Sequence, residues 1–372
     1  MLPLASILGD FTEELALHTN QVVGGLINAT FGNAVEVVVA IQAMNAGQIR
    51  VVQASMLGSV FSNLLLVLGC CFFFGKFRDN PVSAQYIYIL FAHCFFIIII
   101  IIVVVVVVVV VTPHTTTLTP ARSRLPHQTP GGIKFKEQSY NATSAISNLS
   151  LLTLSSLALV LPTPFAAYYD IEDEHVLMVS RVAACFLLAM YVQLLIFQLF
   201  THSYLVAEDD EEEEPEMGFW SALFGLFFVT MLVSIYSEFL VSSIDGFTES
   251  SGISKTFVGL IIIPVVGNAV EHITAVSVAM KNKMDLSMGV AVGSSSQISL
   301  FVVPFIVLFG WVQDINMTLN FPKFEIMLYI LSVVIVTNCV ANGKSNWLEG
   351  TLLITTYFMI AVGFWYEEVR EF

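Results

Sequence analysis

The string Gly32-Asn33-Ala34-Val35-Glu36 returns intact as Gly267-Asn268-Ala269-Val270-Glu271, 235 residues later. At the same offset Asp10 matches Asp245, Glu14 matches Glu249, Gly24 matches Gly259, Ala40 matches Ala275, and Gly58-Ser59 matches Gly293-Ser294, without a gap. Compositional bias in an apolar chain does not explain this, because Asn and Glu are the residues such a bias excludes. The chain therefore reads as two copies of one unit, a construction common among membrane transporters.

Composition agrees. Of 372 residues, 56% are hydrophobic and 12% charged, with a mean hydropathy of +0.83, whereas soluble domains are about 25% charged. A soluble enzyme is excluded. The net charge of -15, from 14 basic and 29 acidic residues, also excludes a nucleic-acid partner. A helix needs about 20 apolar residues to cross a bilayer. Ten stretches meet or approach that: 22–45, 51–75, 86–111, 146–169, 176–200, 219–243, 256–280, 286–311, 324–341 and 348–366. Residues 3–20 read as a short acidic helix or the tail of a cut span, and Met1 to Leu8 lack the basic start of a signal peptide. The expected fold is an all-α polytopic membrane protein.

Soluble punctuation divides it. Residues 112–138 combine Pro113, Pro120, Pro126, Pro130, Gly131 and Gly132 with basic residues, and form a loop. Residues 208–216, EDDEEEEPE, separate five stretches from five and read as a solvated linker, a cation-attracting role being the alternative. Ile97 to Val111 are uninterrupted Ile and Val, with no small or polar position for a neighbouring helix, so they read as a lipid-facing span or an insertion.

The repeated motif carries the chemistry. On a continuous helix Asn33 and Glu36 share a face, with Gly32 one turn before the Glu, and Asn268, Glu271 and Gly267 repeat the arrangement. A charged carboxylate at membrane depth is costly, so each Glu is expected to face the interior and serve ions or protons. A protonated Glu that only packs helices is the alternative. In the next helix Ser55, Gly58, Ser59 and Ser62 form a small, polar stripe, matched by Gly289, Gly293, Ser296 and Gln297. Such stripes permit close crossing, and their oxygens, with two carboxylates and the Asn amides, suit the oxygen-only shell of Ca²⁺. The five cysteines show no ligand spacing and no His cluster accompanies them, so zinc and copper are not indicated. His272 stands where the first copy has Val37, as a polar packing residue or one that tunes protonation nearby. Glu238, in the preceding span, is an accessory ligand, a proton relay or half of a structural pair.

The strings GGLINATFGNAVEVVVAIQAMNAGQIRVVQASMLGSVFSNLLLVLGCCFFFG (24–75) and GISKTFVGLIIIPVVGNAVEHITAVSVAMKNKMDLSMGVAVGSSSQISLFVVPF (252–305) closely resemble the cation/proton exchanger family of the calcium/cation antiporter superfamily, specifically its vacuolar H⁺/Ca²⁺ exchangers. MTLNF at 317–321 and GKSNWLEG at 343–350 also resemble that family, and the likeness omits only residues 76–130. The resemblance implies eleven spans, two inverted five-helix repeats after a first helix, and an acidic segment between them on the cytosolic side. It implies Glu36 and Glu271 as central Ca²⁺ ligands and proton acceptors, supported by Asn33 and Asn268, with Ser59, Ser294 and Gln297 lining the site and His272 following the second Glu.

Against that pattern the first repeat is N-terminally truncated and carries an apolar insertion. The expected organisation is 1–75, the first part of repeat 1; 76–130, the insertion; 131–207, the remainder of repeat 1; 208–217, the acidic linker; and 218–372, repeat 2. If the insertion does not cross, nine of the fourteen basic residues fall on the cytosolic side, which favours that arrangement.

The function expected is secondary active antiport of Ca²⁺ for H⁺ across an organelle membrane, the vacuolar one by resemblance, with protons and Ca²⁺ competing for two glutamates under alternating access. Partners are Ca²⁺ and other divalent cations, protons and the bilayer, the ions being cargo and no cofactor being required. The alternatives are a cation channel or a truncated, transport-inactive relative. An intramembrane enzyme would need a nucleophile or metal motif such as HExxH or GxSxG, which the sequence lacks.

Overall fold

Lipid offers no water to backbone amides, so a chain of this composition satisfies them internally as helix. The computed structural model describes residues 2–19, 21–75, 137–169, 173–201 and 215–367, and these are helical nearly throughout. The first half holds α1 (Leu2–Leu17), α2 (Gln21–Phe31), α3 (Ala34–Asn45), α4 (Ile49–Phe74), the short strand β1 (Gln138–Ser139), α5 (Ala142–Val160), α6 (Pro162–Tyr169) and α7 (Asp173–Ile196). The second holds α8 (Phe219–Ser251), α9 (Lys255–Gly267), α10 (Ala269–Met280), α11 (Met284–Val312), α12 (Lys323–Val340), β2 (Lys344–Ser345) and α13 (Trp347–Trp365). Among the described residues seven helices are long and apolar enough to cross a membrane, or eight if the bent pair α9–α10 is one span. The short helix expected over 3–20 is α1. Eight of the ten expected spans fall on these helices, counting the bent pair, and a ninth, 22–45, is divided between the shorter α2 and α3. The tenth, 86–111, lies outside the described residues with the rest of the insertion 76–130, as does most of the acidic linker.

Helix boundaries repeat with the sequence. The ends of α3 and α10 both differ by the 235-residue offset, α2 and α4 recur as α9 and α11, and α1 corresponds to the C-terminal half of α8. The end of α1 lies beside the start of α8: both carboxylate oxygens of Glu14 accept from the backbone, from Glu216 N at 3.2 Å and Met217 N at 3.1 Å. Phe11 packs over Gly225 further along. The equivalent helices α1 and α8 thus run antiparallel, the geometry of an inverted repeat.

Polar side chains hold the non-helical backbone at the bundle's ends. The MTLNF segment after α11 buries Met317, Leu319 and Phe321. Its amides and carbonyls are taken by Gln53, which donates to Thr318 O at 2.8 Å, by Ser180, which accepts from Leu319 N at 2.9 Å, and by Thr163, which accepts from Phe321 N at 2.9 Å. At another end β1 pairs antiparallel with β2, Gln138 opposite Ser345.

Among the described residues one charge pair has a fully buried member, its partner being 34% exposed. Arg50, at the start of α4, donates through both terminal nitrogens to the two oxygens of Glu325 in the first turn of α12. The Glu325 side chain has no exposed surface. Removing one member of a buried pair strands the other charge, at a cost of about 3–5 kcal/mol, while removing both often costs little. Arg50→Leu is therefore expected to lower the melting temperature in detergent substantially, and the double variant Arg50→Leu/Glu325→Leu to recover much of the loss. Equal losses in the single and double variants would contradict this account.

Candidate functional site

Each copy of GNAVE lies at a break in a helix. α2 ends at Phe31 and α3 begins at Ala34, with Asn33 (φ -107°, ψ 18°) at its N-cap position. α9 and α10 are separated by Asn268 (φ -93°, ψ 12°) and bent by 54°. Gly and Asn disfavour helix interiors and favour helix ends. At Gly32 the break also demands the missing side chain, since a Cβ there would lie 2.6 Å from Asn28 O. This corrects the expectation of Asn and Glu on one face of a continuous helix. Asn33 and Asn268 stand at the breaks, and Glu36 and Glu271 occupy the first turns of α3 and α10. Helix N-termini favour negative charge there, and paired half-helix ends are how membrane transporters commonly build ion sites.

The two breaks face each other: Glu36 shares a cleft with Gly267 and Asn268, which precede the helix whose first turn holds Glu271. Glu36, Ser55, Ser59, Gly267 and Asn268 line a cleft whose remaining wall, including Val39, Met56, Pro264 and Ile298, is apolar. Asn268 is 1% exposed, yet both of its amide atoms lack protein partners, as does Glu271 Oε2. Native structures seldom leave buried polar atoms in that condition outside functional sites. Among the described residues no three of His, Cys, Asp and Glu gather. The donors are two carboxylates with amide and hydroxyl oxygens, which suits a hard cation.

Two hydrogen bonds tie the motif regions to the opposite half, one from each. Asn33 Nδ2 donates to Gln297 Oε1 on α11 at 2.7 Å. His272 Nε2 on α10 lies 3.0 Å from Ser62 Oγ on α4. Positions 62 and 297 are equivalent under the repeat, but their partners are not: Asn33 corresponds to Asn268, and His272 to Val37. Each serine-bearing helix then passes into a π-helical turn at equivalent positions, Ser62–Val67 and Ile298–Val302. Such turns recur at functional sites.

The helix crossings beside the site are unequal. α4 and α9 touch backbone to backbone: a Cβ at Gly58 would collide with Leu260 O and Pro264, and one at Gly259 would lie 2.9 Å from Ala54 Cβ. At the equivalent positions, a Cβ at Gly293 would meet nothing within 4 Å, and one at Gly24 would meet only Ala16 and Thr19. The crossing of α4 and α9 is closed, and that of α11 and α2 is open.

The other expected residues fall as follows. Ser294 and Gln297 are partly buried on α11, and Gly32 is exposed at its break. Ser294 is not part of the cleft wall. Glu238 is exposed on α8 and also outside that wall; the structure does not bring it to the glutamate pair. Asn63, which sequence reasoning passed over, is 1% exposed and neighbours Glu271. It lies one residue past the stripe, and its repeat counterpart is Ile298, so neither helical spacing nor the offset marks it. The π turn is what redirects it.

A family model described as sodium/calcium exchanger protein matches residues 1–125 and 221–366. A Ca²⁺/H⁺ antiporter from Aphanothece halophytica is 37% identical over 386 residues, covering 99% of this chain and 88% of its own. A vacuolar calcium ion transporter from Schizosaccharomyces pombe is 36% identical over 375 residues, covering 98% and 77%. The solved structure of native YfkE superposes with a TM-score of 0.72 at 30% identity, covering 98% of this chain and 89% of that one. With two antiparallel copies of one unit, and a cleft where Glu36 of one copy meets Gly267 and Asn268 of the other, the chain belongs to the sodium/calcium exchanger protein family, among its cation/proton exchangers.

Proposed function

We propose that this protein is a transporter that exchanges Ca²⁺ for H⁺ across an organelle membrane, with Glu36 and Glu271 binding either the metal or protons. The observation that carries the reading is the facing of the two helix breaks, with Glu36 in one cleft with Gly267 and Asn268 and each glutamate in the first turn of an equivalent half-helix. Two protonated carboxyls are neutral, and two ionised carboxylates holding Ca²⁺ are also neutral. The same pair empty and ionised carries two desolvated charges beside an apolar wall, a state unfavourable enough to discourage movement without cargo. Protons and metal therefore compete for the same oxygens. Asn268 and Ser59 extend the oxygen shell, and other divalent cations of similar hardness compete for it.

Alternating access is supported by the unequal crossings. The repeat supplies two similar small-residue contacts, and one is closed while its counterpart is open; reversing that asymmetry exposes the site to the other side. A continuous channel needs no such pairing. Relatives named as Ca²⁺/H⁺ antiporters and a vacuolar calcium ion transporter support the ions and a vacuolar location, and the basic bias of the loops supports a cytosolic linker at 208–217.

In proteoliposomes with an acidic interior, Glu36→Gln and Glu271→Gln are each expected to abolish Ca²⁺ uptake, and a protonophore to abolish it in the native protein. Normal uptake by both variants would sink the assignment, and uptake indifferent to the protonophore would indicate a channel. Gly293→Ala tests the alternating crossing. A Cβ there meets nothing within 4 Å in this conformation, so the variant is expected to leave the melting temperature unchanged while cutting turnover by more than about tenfold, because closing the second crossing requires helices to meet without an intervening side chain. Unimpaired turnover in Gly293→Ala would rule out that closure.

A further inference from the structure

Tyr329 of α12 is fully buried, and its ring and hydroxyl engage different helices. The ring packs edge-to-face on Phe61 of α4, centroids 6.4 Å apart, immediately before the π turn Ser62–Val67. The hydroxyl lies 3.3 Å from Ser299 Oγ, inside the equivalent π turn of α11, and 3.3 Å from Ser156 Oγ on α5. Ser156 also lies 2.7 Å from Leu152 O. Ser156 Oγ is the donor towards both Leu152 O and the Tyr329 hydroxyl. The single proton of Tyr329 is then left for Ser299 Oγ. The Tyr329 hydroxyl thus links α5 to the α11 turn, accepting from one serine and facing the other.

A π turn lacks the regular i→i−4 register and needs outside contacts to hold its phase. Ser299 lies two residues after Gln297, whose Oε1 holds Asn33 at the break that starts the Glu36 helix. We propose that Tyr329 is a positioning residue of the cation site, fixing the phase of the α11 π turn through Ser299 and thereby the Gln297–Asn33 bond that aligns the first glutamate. The repeat does not predict this: position 299 corresponds to Leu64, so the second hydroxyl link exists in one half only. The inference rests on the exchange reading above.

The test is Ca²⁺ uptake into acidified proteoliposomes, with Ca²⁺ binding to the solubilised protein by calorimetry and melting temperature in detergent. Tyr329→Phe keeps the ring and removes the hydroxyl. It is expected to raise KM and the binding constant Kd about fivefold, the scale of one net hydrogen bond, with turnover at saturating Ca²⁺ near normal. Ser299→Ala is expected to match it, and Tyr329→Phe/Ser299→Ala to be no worse than either alone, since both remove the same link. A lower melting temperature with KM and Kd unchanged in both single variants would overturn the proposal in favour of plain packing. Losses that multiply in the double variant would also overturn it. If Glu36→Gln transports normally, the exchange reading itself fails; if Glu36→Gln is dead and both hydroxyl variants bind Ca²⁺ normally, only the role of Tyr329 fails.

Discussion

Two carboxylates held half-buried at facing helix breaks in an apolar bundle are costly, and most of the surrounding structure reduces that cost. Both helices are broken so that Glu36 and Glu271 occupy first turns, where free amide N–H groups and the helix dipole favour negative charge. Polar atoms of the opposite half complete the surroundings through the Asn33–Gln297 and His272–Ser62 bonds. An uninterrupted helix would hold Glu36 in mid-helix and leave its dipole ends elsewhere. The Gly-Asn pair of each motif is therefore as necessary as the Glu, because it ends one helix and begins the next.

Equivalence of the halves is approximate, and the departures fall around the site. His272 replaces Val37, Gln297 replaces Ser62, Ile298 replaces Asn63 and Ser299 replaces Leu64. Glu271 consequently has an amide neighbour, while Glu36 shares its cleft with Ile298 and other apolar side chains. Two glutamates in identical pentapeptides thus occupy different surroundings. The helix crossings are unequal as well, with Gly58 and Gly259 in backbone contact and Gly24 and Gly293 apart. Two similar units thus stand in dissimilar arrangements within one chain.

Much of this was legible in the residues, for identifiable reasons. Apolar stretches of membrane length leave helices as the only open spanning solution, so the positions of α4, α5, α7 and the helices of the second half follow from hydropathy. The repeat was legible because Asn and Glu are improbable in such helices. Helix breaks were harder: Gly and Asn weaken a helix by about 1 kcal/mol or less, too little to separate a bend from a tolerated interior residue. Glu238 shows the opposite limit. A carboxylate in an apolar run suggests an inward face, yet α8 packs along one side only and leaves this residue exposed.

By itself the sequence determined a duplicated, membrane-spanning helical chain with an acidic motif in each copy, because period, length and residue rarity are local quantities. Tertiary structure alone decided that the copies run antiparallel, that the two helix breaks face each other, that one helix crossing closes while its twin stays open, and that Asn63 neighbours Glu271. Those outcomes depend on which helices touch and at what angle, and contact between residues some two hundred positions apart leaves no trace in the local pattern of either.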